Sequence, residues 1–231
     1  NFKYMKKTIL SITIFLLLFS SVFSHVGHYK KFNNLEYELF RNNKLIGTHK
    51  YNFIREKNNL TVKSEVEFKI SKLGVELYKY FAKSEESYRE NIFISFKSNT
   101  NQNKKERYVN INLDLNTDDI IIDGSSYKGR ASKDFIVGTW WNHEIIKAKA
   151  QISAISGRII EQKVEFIGKE DIKIDNITYK TLHFNFSSSD ESLPDKKKLN
   201  TDIWYEEGSN LWVKASFDKS GHWEYRLKNY N

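Results

Sequence analysis

The chain has 231 residues, 39% of them hydrophobic and 15% aromatic, with 37 basic residues against 29 acidic ones and a formal charge of +8. This length carries one domain with a sizeable core once a targeting segment is removed. The absence of cysteine excludes disulfides and a lipid-modified cysteine anchor, and lysines outnumber arginines 30 to 7 without forming a stripe, which argues against a nucleic-acid surface.

Residues 1–24 read as a secretory signal. Met5-Lys6-Lys7 is a positive start, Thr8 to Phe19 is an apolar run, and Ser20-Ser21-Val22-Phe23-Ser24 ends it with small residues, Val22 and Ser24 being spaced as a leader peptidase prefers. Asn1 to Tyr4 precede Met5, the expected start, and cleavage is expected between Ser24 and His25. The apolar run is short for a membrane span, so no transmembrane anchor is expected after cleavage. Export of a cysteine-free chain points to a Gram-negative periplasm. Loss of Lys3, Lys6 and Lys7 leaves 34 basic residues against 29 acidic ones, a solvated lysine-rich surface.

Strand patterns fill the rest. Residues 35–40 and 44–55 are two β-like runs around the turn Arg41-Asn42-Asn43, and Gly47 inside the second marks a bulge or a close approach. Leu60, Val62, Ser64, Val66, Phe68 and Ile70 then alternate with Thr61, Lys63, Glu65, Glu67 and Lys69, a strand with one wet face. Residues 76–89 read as a strand with Tyr78, Tyr80, Ala82 and Ser84 on one face, although Leu73, Leu77, Tyr80 and Phe81 also fit a helical stripe. Strands at 92–99, 108–116 and 120–122 follow, and 125–134 reads as a loop.

The stretch 135–143 (Phe-Ile-Val-Gly-Thr-Trp-Trp-Asn-His) concentrates aromatic surface and hydrogen-bonding groups. If it is extended, one of Trp140 and Trp141 points inward and the other outward. Residues 144–155 suit a strand better than a short helix. Strands at 158–169 and 171–174, a hairpin partner at 177–187, a polar surface loop at 188–200 with Pro194, and runs at 201–206, 211–217 and 222–229 complete the chain. In these last hairpins Trp204 points away from Ile203 and Tyr205, and Trp212 falls with Lys214 on the face opposite Leu211, Val213, Ala215 and Phe217. Some twelve short strands at hairpin spacing, without a βαβ rhythm, make residues 25–231 one all-β domain: an antiparallel curved sheet forming an open or closed barrel, with a two-sheet sandwich as the competing architecture.

Catalytic constellations are missing. No G-x-S-x-G surrounds Ser125, the histidines fall singly at 49, 143, 183 and 222, and no metal-binding pair of histidines lies within the folded part. Neither a catalytic residue, a cofactor nor a functional metal is expected; His25 and His28 read as a frayed end. His143 and Glu144, as neighbours on a strand, would face opposite sides. Glu85-Glu86 and Asp118-Asp119 read as solvated charges. The aromatic side chains either fill the taper of a barrel, at about 2–3 kcal/mol each, or line a groove for an apolar or amphipathic ligand. The candidate lining is Trp140, Trp141, Trp204 and Trp212, with Asn142 to orient a polar end.

The opening Leu35-Glu36-Tyr37, Ile46-Gly47-Thr48-His49, the central Thr139-Trp140-Trp141-Asn142 and the late Trp204-Tyr205 and Leu211-Trp212-Val213 resemble the bacterial domain-of-unknown-function family 6134. The resemblance covers nearly the whole exported part and implies an exported β protein; architecturally, and more remotely, the chain is also similar to periplasmic lipoprotein carriers. It supplies no activity and no catalytic residues. The expected function is a periplasmic binding or carrier module for a hydrophobic or lipid-like ligand. The alternatives are a structural or interaction module with an envelope protein partner and, last, an enzyme, which a carboxylate pocketed beside His143 or His183 would favour.

Overall fold

The computed structural model describes residues 26–231; the expected leader and its cleavage point lie outside them. A 3₁₀ turn, Val26–Lys31, leads into β1 (Asn34–Arg41), β2 (Lys44–Glu56), β3 (Asn59–Lys72), β4 (Val75–Arg89) and β5 (Ile92–Gln102). There follow β6 (Lys105–Asp114), β7 (Asp119–Gly124), β8 (Lys128–Ser132) and the two-residue β9 (Ile136–Val137). A second 3₁₀ turn, His143–Lys147, precedes β10 (Ala150–Ile152), β11 (Ile159–Ile174), β12 (Ile177–Ser188), β13 (Asn200–Glu206), β14 (Trp212–Asp218) and β15 (His222–Tyr230).

All fifteen strands of the described residues form one sheet, ordered β8 back to β1, then β15 back to β9. The two halves of the chain join where β1 pairs antiparallel with β15. All other neighbours follow one another in sequence and are antiparallel, except for the parallel pair β9 and β10. Several connections are two-residue turns with both central residues at positive φ: Asn42 and Asn43, Glu90 and Asn91, Asn103 and Lys104. That geometry matches the twist of the flanking strands and suits asparagine.

The sheet does not close by hydrogen bonds. Its edges, β8 and β9, are consecutive in sequence and meet through side chains: Ala131, Val137 and Ile152 pack with Ile120 and Ile122 in one apolar cluster. Alternation places the core as the sequence implies. On β3, Val62, Val66 and Phe68 are buried while Lys63, Glu65, Glu67 and Lys69 are exposed. Gly47 is a close approach: a Cβ there would lie 2.0 Å from the Glu67 carbonyl oxygen and 2.5 Å from Phe68 Cβ.

The strands depart from the expected runs in identifiable ways. Residues 125–134 contain β8, a Gly- and Lys-bearing edge strand whose one ladder is to β7. The runs 158–169 and 171–174 are one strand, β11, bent by a register shift between Phe166 and Gly168. Residues 144–155 are not one strand. Asn142 caps the 3₁₀ turn by accepting from the Glu144 backbone N–H at 3.2 Å, and only Ala150–Ile152 is extended. In β14 a second shift reverses the expected faces. Tyr205 opposes Trp212 while Trp204 opposes Lys214, so the extra residue turns Trp212 inward and leaves Lys214 outside.

Candidate functional site

The segment after β9 is a plug rather than a strand, and it brings Trp140, Trp141 and Asn142 to the inner face of the sheet. Trp141 has no accessible surface and makes edge contacts with Tyr29, Phe53 and Tyr88 at ring-centroid distances of 5.5, 5.3 and 5.9 Å. Its Nε1 donates to Glu86 Oε2 at 3.1 Å. Thr139 Oγ1 donates to the same oxygen at 3.2 Å, and the Tyr88 hydroxyl donates to Glu86 Oε1. Asn142 Nδ2 donates to the Tyr88 oxygen at 3.3 Å. The Glu86 carboxylate thus ties β4 to the plug through two donors, Thr139 and Trp141, with Tyr88 of the same strand on its other oxygen.

Glu86 is only 2% exposed, which corrects its reading as a solvated charge. Burial raises its pKa to about 7, against the opposing effect of the Tyr88, Trp141 and Thr139 hydrogen bonds. The sequence signal was present: Tyr80, Ala82 and Ser84 continue at the same two-residue spacing through Glu86 to Tyr88. Behind the plug, Gln162 Nε2 donates to the carbonyls of Ile145 and Ala148 at 2.9 and 3.0 Å, and Gln151 Nε2 donates to Gln162 Oε1 at 2.8 Å. Gln162 thus adds a second donor to the Ile145 carbonyl, which also accepts from the Ala148 backbone N–H, and supplies one to the Ala148 carbonyl at the end of the turn.

Trp140 faces a different group. Its ring lies edge-on to Trp212 and to Tyr225, 5.3 Å from each, and its carbonyl accepts from the Tyr205 hydroxyl at 2.9 Å. Trp212 has no accessible surface and stacks on Tyr37 at 4.0 Å. His49 completes the group at 6.3 Å from Trp212 and 6.0 Å from Tyr225. Two polar atoms in this box, His49 Nδ1 and Trp212 Nε1, are shielded from water and have no hydrogen-bond partner. His49 Nε2 lies 3.4 Å from Ser64 Oγ. Burial of the imidazole lowers its pKa to about 3, so it is neutral at ordinary pH. Trp140 and Tyr225 are half-buried and close one side of the box.

Trp204 does not join them. It lies on the outer face, 7% exposed, stacked on His183 at 4.3 Å, with Lys214 Nζ 4.8 Å over its ring. His183 Nδ1 is 2.8 Å from Glu170 Oε1 and its Nε2 is 2.9 Å from Asp202 Oδ1. Both ring nitrogens are therefore occupied, and the cluster reads as a staple across β11 to β14. His143 and Glu144 also fall together, Nε2 to Oε1 at 3.4 Å, because the backbone there is a 3₁₀ turn and not a strand. Surface depressions of about 680, 550 and 340 Å³ are lined by neither histidine and by no tryptophan. None of these three depressions holds a carboxylate–histidine pair.

A family model described as a domain of unknown function, DUF6134, matches residues 37–228. The chain belongs to the DUF6134 family. The match runs from β1 into β15, so the DUF6134 domain takes in both the plug and the ring box. No curated protein matches the chain. Among solved structures it is similar to a β-barrel-like protein of domain of unknown function DUF1849 from Brucella abortus. The two share 11% identity and a TM-score of 0.59 over 86% of this chain and 96% of that one. At that identity the likeness concerns the fold: a curved sheet wrapped into a barrel-like body.

Proposed function

We propose that this DUF6134 chain is an exported binding module of the bacterial envelope, taking an amphipathic ligand against His49, Trp140, Trp212 and Tyr225. One observation carries the reading: two buried polar atoms, His49 Nδ1 and Trp212 Nε1, stand unpartnered in the same aromatic box. A buried polar atom without a partner costs about 1–3 kcal/mol, and native proteins keep few of them. Indole Nε1 only donates; the neutral imidazole nitrogen donates or accepts according to its tautomer. A carbonyl or hydroxyl oxygen complements both, and the faces of Trp140 and Tyr225 suit an apolar chain beside it. Asn142 and Trp141 act one layer behind, holding the segment that presents Trp140.

The test is native mass spectrometry of the full chain purified from a bacterial envelope fraction, joined to a monoacylglycerol titration followed by tryptophan fluorescence. The expected result is a bound mass in the wild type and its loss in a His49→Leu/Trp212→Phe variant, which keeps apolar side chains at both positions but removes both polar atoms. A chain without any bound mass whose fluorescence does not respond to the titration overturns the reading. A periplasmic location is part of the proposal and is checked by cell fractionation.

A further inference from the structure

The β3–β4 hairpin is longer than the sheet that supports it. Pairing of β2 with β3 ends at Gly47 and Phe68, and pairing of β4 with β5 ends at Tyr80 and Gln102. The β3–β4 ladder continues through Lys69 and Lys79 to Lys72 and Val75. About four residues of each strand therefore project as a two-stranded ribbon, roughly 13 Å at about 3.3 Å per residue. An isolated ribbon of this kind is marginal in water. Its tip nevertheless carries three exposed aliphatic side chains: Leu73 at 95% exposure, Val75 at 61% and Leu77 at 54%.

Leu73 is out of place on local grounds as well. It and Gly74 occupy the two central turn positions with φ of 52° and 80°. Comparable turns in this chain use asparagine at such positions, as at Asn42-Asn43 and Asn103. A leucine there accepts both an unfavourable backbone region and full exposure.

Basic groups outnumber acidic ones around the tip, and Asp218 at the adjacent β14–β15 turn is paired with His222 at 3.0 Å. The ribbon carries Lys69, Lys72 and Lys79 against Glu76, with Lys69 and Glu76 3.8 Å apart. Antiparallel pairing brings the β1–β2 and β5–β6 turns to the same end of the barrel, with exposed Lys44, Lys104 and Lys105. Glu106 there is engaged by Asn101, and Glu67 lies one step further back on β3.

We propose that the β3–β4 hairpin is a membrane-docking element: Leu73, Val75 and Leu77 enter the headgroup–acyl boundary, and the surrounding lysines hold anionic headgroups. Aliphatic side chains at the extreme tip with ammonium groups set behind them match the order of layers met on entering a bilayer from water. The proposal does not depend on the ring box, which lies on the inner face of the sheet; either can fail without the other.

The chain has no cysteine, so Leu73→Cys gives a single attachment point for an environment-sensitive fluorophore on the full chain. Asn58→Cys, at the β2–β3 turn on the other end of the barrel, is the control. Vesicles of mixed phosphatidylglycerol and phosphatidylcholine should shift and brighten the Leu73 label but not the Asn58 label. Phosphatidylcholine vesicles or high salt should weaken the response about tenfold. In flotation, Leu73→Asn/Val75→Ser/Leu77→Ser should lose at least about tenfold in vesicle binding with its denaturation midpoint unchanged or raised. Equal response of both labels, equal flotation of the variant, or a wild type that does not float overturns the proposal. So does a tip that instead drives self-association, seen as a concentration-dependent oligomer abolished in the triple variant with no flotation of the wild type.

Discussion

Replacing Glu86 by glutamine should make the protein less sensitive to alkaline pH. In the folded chain the carboxyl has a pKa of about 7, against 4.5 for the unperturbed group. At about 1.4 kcal/mol per unit the shift is worth about 3 kcal/mol. The sign follows from proton counting. Between pH 4.5 and about 7 the folded state holds the proton and the unfolded state has released it, so stability falls as pH rises through that window and levels off above it. Glutamine is never ionised, accepts at Oε1 from Trp141 and Thr139, and can donate to the Tyr88 oxygen. Urea denaturation, followed by tryptophan fluorescence from about pH 5 to about pH 8, gives the free energy of each protein. The variant minus wild-type difference should rise by about 2.5 kcal/mol across that range, since part of the change falls below pH 5. Taking the difference removes other titrating groups common to both. A flat difference would refute the assignment of a burial-raised carboxyl, and a falling one would mean that the ionised form is the one the fold favours.

Further predictions concern the same inner face and the hairpins. His49 works in the opposite direction: its folded pKa is held near 3 against 6.5, so stability present above pH 6.5 is lost on acidification. Between pH 6.5 and about 4 the wild type should lose about 3 kcal/mol relative to His49→Leu, read by the same urea curves. Gly47→Ala places a methyl 2.0 Å from the Glu67 carbonyl oxygen. Because that neighbour is backbone, the variant should lose about 2–3 kcal/mol and show exchange-labile amides along β2 and β3. Leu73→Asn, at φ 52°, should raise stability by about 1 kcal/mol in thermal denaturation, since asparagine tolerates that backbone region better.

Legibility in the sequence followed the length of the periodic signal. The alternation on β3 and the outward aim of Trp204 could be read directly, because a period of two decides the face wherever a ladder is regular; Gly47 was legible only as a bulge or a close approach. Single-residue events were not legible. The register shift between Trp204 and Tyr205 sends Trp212 inward although its number has the parity of the outward Lys214. Local side-chain bonding also escaped. Asn142 capping a 3₁₀ turn converts an apparent strand at 144–155 into a plug, and nothing in the apolar spacing of Ile145, Ile146 and Ala148 distinguishes the two. Glu86 is masked by type: a glutamate beside another glutamate looks solvated, whereas its parity with Tyr80, Ala82 and Ser84 places it inside.

The candidate site and the plug are one mechanical unit, and this explains why an ionisable group is kept in the core. Trp140 belongs to the ring box while the next residue, Trp141, belongs to the Glu86 network, so the position of one indole is set by the hydrogen bond of the other. A segment with only a two-residue strand and a five-residue 3₁₀ turn has little backbone pairing to locate it. Apolar packing alone would leave it free to slide, because hydrophobic contact has no direction. Thr139 and Trp141 donating to one carboxylate, Asn142 donating to Tyr88, and the Gln162 amide on the other side fix its rotation and depth. An apolar residue of similar volume at position 86 would forfeit that registry even where it gained stability. Glu86 is therefore a positioning residue for Trp140: Glu86→Leu should change the near-ultraviolet signal of the indoles and weaken monoacylglycerol binding at a pH where Glu86→Gln leaves both intact.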